Sequence, residues 1–169
     1  PTMPESALLL GMQKCLKCSP HVQLQSLEYS TGQRPFCSLF DLSLNYFISQ
    51  FPALSRFYIT DHNGLSGTIP SVIGLLTDLK YLNLDFNFLT GAIPTEFGNL
   101  KHLTELDLVE NQLKGTIPTE FGRMVDMREL NLTNNQLSGP IPTEIGRLLN
   151  LTFFESANNI MTGPLPTQL

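Results

Sequence analysis

From Leu79 onward, apolar and polar residues recur in one order every 24 positions, in rows that begin at Leu79, Leu103, Met127 and Leu151. The fourth place of each row holds Leu82, Leu106, Leu130 and Phe154; the sixth holds Leu84, Leu108, Leu132 and Ser156. That alternation predicts a short strand with both side chains on one side. The ninth place is always Asn (Asn87, Asn111, Asn135, Asn159) and the thirteenth always Gly (Gly91, Gly115, Gly139, Gly163). Ile-Pro or Leu-Pro fills the next pair but one, and an earlier row from Leu54 fits with one residue inserted near His62 and Asn63.

One such strand cannot bury its apolar side. Copies stacked about 4.8 Å apart form a parallel sheet over a shared core. The chain must then turn, and the turn's backbone groups need partners. A column of Asn offers two donors and an acceptor per coil for that purpose. Gly at place 13 permits a backbone that other residues resist, and Pro at place 16 fixes φ before the return segment. Thr95, Thr119 and Thr143 then stand where helix N-caps are expected, ahead of short helical turns ended by Gly98, Gly122 and Gly146.

The repeat LxxLxLxxNxLxGxIPxxFGxLxx resembles the plant-type leucine-rich repeat of receptor-like kinase ectodomains, polygalacturonase-inhibiting proteins and algal repeat proteins. The resemblance covers residues 54 to 169. It implies an α/β solenoid, a right-handed superhelix with a concave parallel β-sheet, short helical turns on the convex side and an N-terminal helical cap. Residues 1–23 are expected to be that cap and 24–169 the solenoid. Its coils would start near 24, 54, 79, 103, 127 and 151, the last one incomplete. LQSLEYS from Leu24 fits the strand rule, and Phe40, Leu44, Phe47, Ile48 and Phe51 have helical spacing on the outer side of that first, longer coil.

Length and charge narrow the function. The 169 residues suffice for one domain, and 15% charged residues is low for a globular chain. A net charge of −5 argues against nucleic acid as partner, since phosphates call for clustered Lys and Arg. No apolar run approaches the roughly 18 residues that span a bilayer. With neither signal peptide nor initiator Met, the chain reads as processed or partial.

Candidate chemistry is sparse. Cys15, Cys18, His21 and Cys37 include a CxxC half-site for zinc without a matching second half, so no metal is assigned. The resemblance implies instead a cap disulfide from Cys37 to Cys15 or Cys18, with reduced thiols as the other reading. NLT occurs at Asn131 and Asn150, two candidate glycosylation sites that would place the chain in the secretory pathway. The Thr column could form an ice-facing array, although capping suits its place after Pro better. Glu120 with Arg123 and Glu144 with Arg147 read as solvated ion pairs. No catalytic set emerges: His21, His62 and His102 are scattered, and paired acids such as Asp107 and Glu110 would lie on an open sheet. Neither an enzyme nor a cofactor is expected.

The solvent-facing places 2, 3, 5, 7 and 8 vary from row to row while the core columns barely change. They bring Arg56, Tyr58, Asp61, Tyr81, Asn83, Asp85, Phe86, Glu105, Asp107, Glu110, Glu129, Phe153 and Glu155 to one face. Acids outnumber bases there, and four aromatics stand among them. Such a surface suits a protein or peptide, with charge favouring a basic partner, in a secreted or cell-surface setting. The alternative is an accessory subunit of a larger assembly, organellar or intracellular, held through its convex side or C-terminal end. Inhibition of a secreted hydrolase is a third, weaker reading drawn from the resemblance.

Overall fold

The computed structural model describes residues 26–29, 55–59 and 65–167, with 26–29 and 57–59 described as backbone. The expected N-terminal cap, the outer helix of the first coil, and Cys15, Cys18, His21, Cys37 and Asp61 lie outside the described residues.

Each repeat contributes one strand to each of two parallel sheets. The first sheet contains β1 (Ser26–Tyr29), β2 (Arg56–Ile59), β4 (Tyr81–Asn83), β6 (Glu105–Asp107), β8 (Glu129–Asn131) and β10 (Phe153–Glu155). These strands pair in that order, place for place: Tyr81 beside Glu105, Glu105 beside Glu129, Glu129 beside Phe153. This is the concave sheet expected of a solenoid of stacked coils. A second sheet on the flank runs through β3 (Ser66–Thr68), β5 (Phe88–Ala92), β7 (Gln112–Gly115), β9 (Gln136–Gly139) and β11 (Ile160–Met161). Three of its strands carry the Gly of place 13 and the fourth such Gly follows β11, with φ between +73° and +86° at Gly91, Gly115, Gly139 and Gly163.

The core consists of columns. Leu82, Leu106 and Leu130 lie above one another, as do Leu84, Leu108 and Leu132, and all are buried. Phe97 and Phe121, from successive outer turns, pack with ring centroids 6.0 Å apart at 56°. Burial weakens in the last row, where Leu151, Phe154 and Ser156 are half-buried.

The helical turns on the outer side are five-residue 3₁₀ segments, Ser71–Leu75, Thr95–Asn99, Thr119–Arg123 and Thr143–Arg147. They correct the expected capping. The residue ahead of each turn is Pro (Pro94, Pro118, Pro142 in the later three), and no side chain caps any of them. Pro holds an extended backbone there, φ −62° and ψ 137° at Pro94, and its carbonyl accepts the Phe97 N–H. Thr95 therefore falls inside the turn, where its hydroxyl meets Glu96 at 3.3 Å. Gly98 also lies inside the turn rather than ending it. A Cβ there would stand 2.6 Å from the Glu120 carbonyl and 2.7 Å from the Glu120 Cβ. Close coil packing, not a left-handed terminus, is what that glycine serves.

Candidate functional site

Two solvent-facing columns, partly buried in their middle rows, run along the concave sheet. Place 3 presents Arg56, Tyr81, Glu105, Glu129 and Phe153 in register, and place 5 presents Asn83, Asp107, Asn131 and Glu155 after the backbone position of Tyr58. Parallel pairing sets like places beside each other at strand spacing, so Glu105 and Glu129 are neighbours on one face. At one end of this column the Arg56 guanidinium lies over the Tyr81 ring, 4.7 Å from its centroid. At the other end stands Phe153, 45% exposed.

The electrostatics follow from that stacking. Partial burial raises the Glu105 carboxyl above its ordinary value, the Glu129 charge raises it further, and Arg56 draws it back. Asp107 is also raised, again by burial, against the lowering effect of a bond from the Val109 N–H. Place 5 thus has a second job. Asn83, Asp107 and Asn131 each accept, through a side-chain oxygen, the N–H two residues on, at 2.9, 3.0 and 3.1 Å. These side chains shape the strand exits as well as facing solvent.

Place 8 holds what the sequence reading missed. Phe86, Glu110, Asn134 and Asn158 all have left-handed backbone, φ +50° to +56°. Asn tolerates that region; Phe and Glu do so at a cost. Asn158 Nδ2 donates to Asn134 Oδ1 and Asn134 Nδ2 to a Glu110 oxygen, both at 2.6 Å, forming a polar rail along the rim. Below it, the Asn of place 9 does what its column promised. Asn111 Oδ1 accepts the Leu89 N–H, while its Nδ2 donates to the carbonyls of Leu84, Leu108 and Val109. Phe88, also absent from the expected face, stands at place 10 with 52% exposure, in a column otherwise of Gln112, Gln136 and Ile160. Phe86, Phe88, Glu110 and Gln112 wall a notch of about 210 Å³ floored by Asn87 and Asn111.

Other candidates fall elsewhere. Asn131 is half-buried on the concave strand β8, whereas Asn150 is exposed on an outer turn and donates to the Val125 carbonyl. The Thr column does not form a uniform array of free hydroxyls, since Thr95, Thr119 and Thr143 each engage the adjoining Glu. The expected pairs do not close: Glu120 and Glu144 meet those threonines, and Arg123 and Arg147 make no ion pair among the described residues. Among the described residues the His102 ring lies 2.9 Å from an Asp126 oxygen, exposed, a contact that is an ion pair only when the imidazole is protonated. No group of His, Cys, Asp and Glu among them is placed to hold a metal. No helix among them is long and apolar enough to cross a membrane.

Comparison with known proteins fits this architecture. A family model described as leucine rich repeat matches residues 77–137. The BIR2 ectodomain from Arabidopsis thaliana is 39% identical over 63% of this chain and 56% of its own, with a TM-score of 0.61. The plant peptide hormone receptor RGFR1, in complex with RGF2, is 36% identical over 72% of this chain and 19% of its own, with a TM-score of 0.70. A chain of the BIR3–SERK2 complex from Arabidopsis thaliana is 28% identical over 98% of this chain and 87% of its own, with a TM-score of 0.62. The chain thus spans about half the BIR2 ectodomain and a fifth of RGFR1. No curated protein matches it.

Proposed function

From the premise that this chain is a leucine-rich-repeat protein of the plant type, we propose that it is a non-catalytic module recognising a basic protein or peptide on its concave sheet. The observation that carries this reading is the place-3 column, where the adjacent Glu105 and Glu129 stand between Tyr81 and Phe153. Burial first, and then repulsion from the Glu129 charge beside it, raise Glu105. A partner's cation over them would relieve that repulsion, while the flanking rings supply apolar contact. Arg56 on Tyr81 already displays such an arrangement within the chain. The relatives add support: one is a receptor in complex with a peptide, another belongs to a complex of two named proteins.

An extracellular setting accompanies this reading, supported by the ectodomain relative and by the exposed sequon at Asn150. Glycopeptide mapping of the protein from its natural source should find Asn150 occupied; bare asparagine at both sequons would count against the setting.

The binding reading is tested by selecting from a displayed random-peptide library on the folded protein. Basic peptides should be enriched, and the pool should lose binding to a Glu105→Lys/Glu129→Lys variant that unfolds at the same denaturant concentration. No enrichment, or a pool indifferent to the charge reversal, would reject it. A second reading, association through the C-terminal coils, is supported by Leu149 on the coil that starts at Met127 and by Ile160 and Leu165 on the coil after it, all three exposed. It predicts that polar substitution of these three, and not charge reversal of the sheet, releases the partner.

A further inference from the structure

Resting on the binding reading above, we propose that the notch formed by Phe86, Phe88, Glu110 and Gln112 on the rim of the concave sheet seats an arginine side chain of the partner.

The buried core does not include the two phenylalanines. Their columns elsewhere hold polar residues in most rows, Glu110, Asn134 and Asn158 at place 8 and Gln112 and Gln136 at place 10. Phe86 is 39% exposed on a left-handed backbone (φ +50°), a conformation that disfavours a large side chain. Phe88 is exposed as well. The pair therefore brings two apolar rings to the surface without adding to the buried core.

The surroundings select the occupant. Asn87 and Asn111, the floor, are committed to the backbone of their coils. Glu110 uses one carboxylate oxygen to accept from Asn134; the other has no hydrogen-bond partner among the described residues. Gln112 extends its exposed amide beside it. The notch thus offers ring faces, one anionic acceptor and one amide, beside an acidic sheet.

An acidic ligand would be repelled there, and an aliphatic one would leave the Glu110 charge unanswered. An ammonium is compact and strongly hydrated. A guanidinium is flat, weakly hydrated and donates in a fork, so it can lie on a ring while bonding a carboxylate. Arg56 over Tyr81 is the same kind of contact made internally, on a ring of the coil that also carries Phe86 and Phe88.

The test uses N-acetyl-arginine amide as probe, titrated into the isotopically labelled protein while amide and aromatic resonances are followed. Saturable shifts should concentrate on Phe86, Phe88, Glu110 and Gln112. The citrulline analogue, isosteric but uncharged, should bind about tenfold more weakly, and the lysine analogue should also be weaker. Phe86→Asn with Phe88→Gln places residues native to these columns in the notch and should abolish the response. Glu110→Gln keeps size and removes charge, and should weaken it about tenfold should the double variant fail to fold. Glu144→Gln, on an outer turn, should leave it unchanged. Shifts spread across the sheet, equal binding of citrulline, or an unaltered response in both notch variants would overturn the proposal. If library-selected peptides bind wild type and notch variants equally while the probe is silent, the notch falls and the sheet reading stands. If the probe binds but no peptide is selected, the sheet reading falls and a bare arginine site remains.

Discussion

Single side chains decide how the turns between coils are satisfied. Asn111 answers one buried N–H and three carbonyls in two adjacent coils, so removing its amide strands groups that water reaches poorly. Asn111→Ala is expected to lower stability by about 2–4 kcal/mol in urea unfolding, since each unanswered buried group costs about 1–3 kcal/mol. A loss indistinguishable from zero would mean that water takes over the bonds. At place 8 the expected sign is opposite. Glu110→Asn puts the residue best suited to φ +52° into that backbone and keeps an acceptor for Asn134, as Asn134 keeps one for Asn158. It should gain about 0.5–1 kcal/mol. The Asn column of place 9 was legible in the sequence, because one residue type at one interval has few explanations. Place 8 was not: Asn134 and Asn158 signal a left-handed backbone, but Phe86 and Glu110 conceal it.

At the level of elements, the spacing between coils is set by glycine inside the 3₁₀ turns. Gly98 and Gly122 each face the backbone of the next turn, where an added Cβ would fall 2.6 Å from a carbonyl oxygen. Gly67 differs: its φ is +95° but no atom lies within 4 Å of an added Cβ. Gly98→Ala should therefore cost more than Gly67→Ala, upward of about 2 kcal/mol against about 1 kcal/mol. Equal losses in paired thermal melts would show that the coils can spread to admit a methyl group. The strands and their places were readable from the 24-residue period, since apolar alternation and stacking leave one arrangement. The turns were readable as turns and misread in detail. Thr after Pro looks like a cap until the extended proline is seen to occupy the cap position itself. Gly98 looks like a terminus until the neighbouring coil is in place, and contact with a neighbouring coil is not a local property of the sequence.

For the molecule as a whole, charge on the concave sheet couples folding, pH and recognition. Glu105 and Asp107 bind protons more tightly folded than unfolded, so their contribution is favourable at acid pH and is lost as pH rises through the raised folded values. Glu105→Gln with Asp107→Asn should flatten the stability profile over the range from the ordinary carboxylate values upward and leave neutral stability equal or higher. Asn at place 5 is native to Asn83 and Asn131, which accept the same local N–H bond. An unchanged slope would assign the pH dependence to other groups. A bound cation should lower Glu105 again, so binding should release a proton and tighten as pH rises through that range. Which residues face solvent could be counted from the repeat; that Phe86 and Phe88 flank a notch could not, because it takes two coils to make its walls. The proposed recognition rests on surface columns whose residues differ from row to row.

The central claim is that a basic partner sits on the concave acids. Calorimetric titration of a library-selected basic peptide into wild type and the Glu105→Lys/Glu129→Lys variant, at low and high salt, tests it most directly. The expected result is affinity at least about tenfold lower in the variant and a clear weakening by salt in wild type alone. Equal affinity in the two proteins, with no dependence on salt, would contradict it.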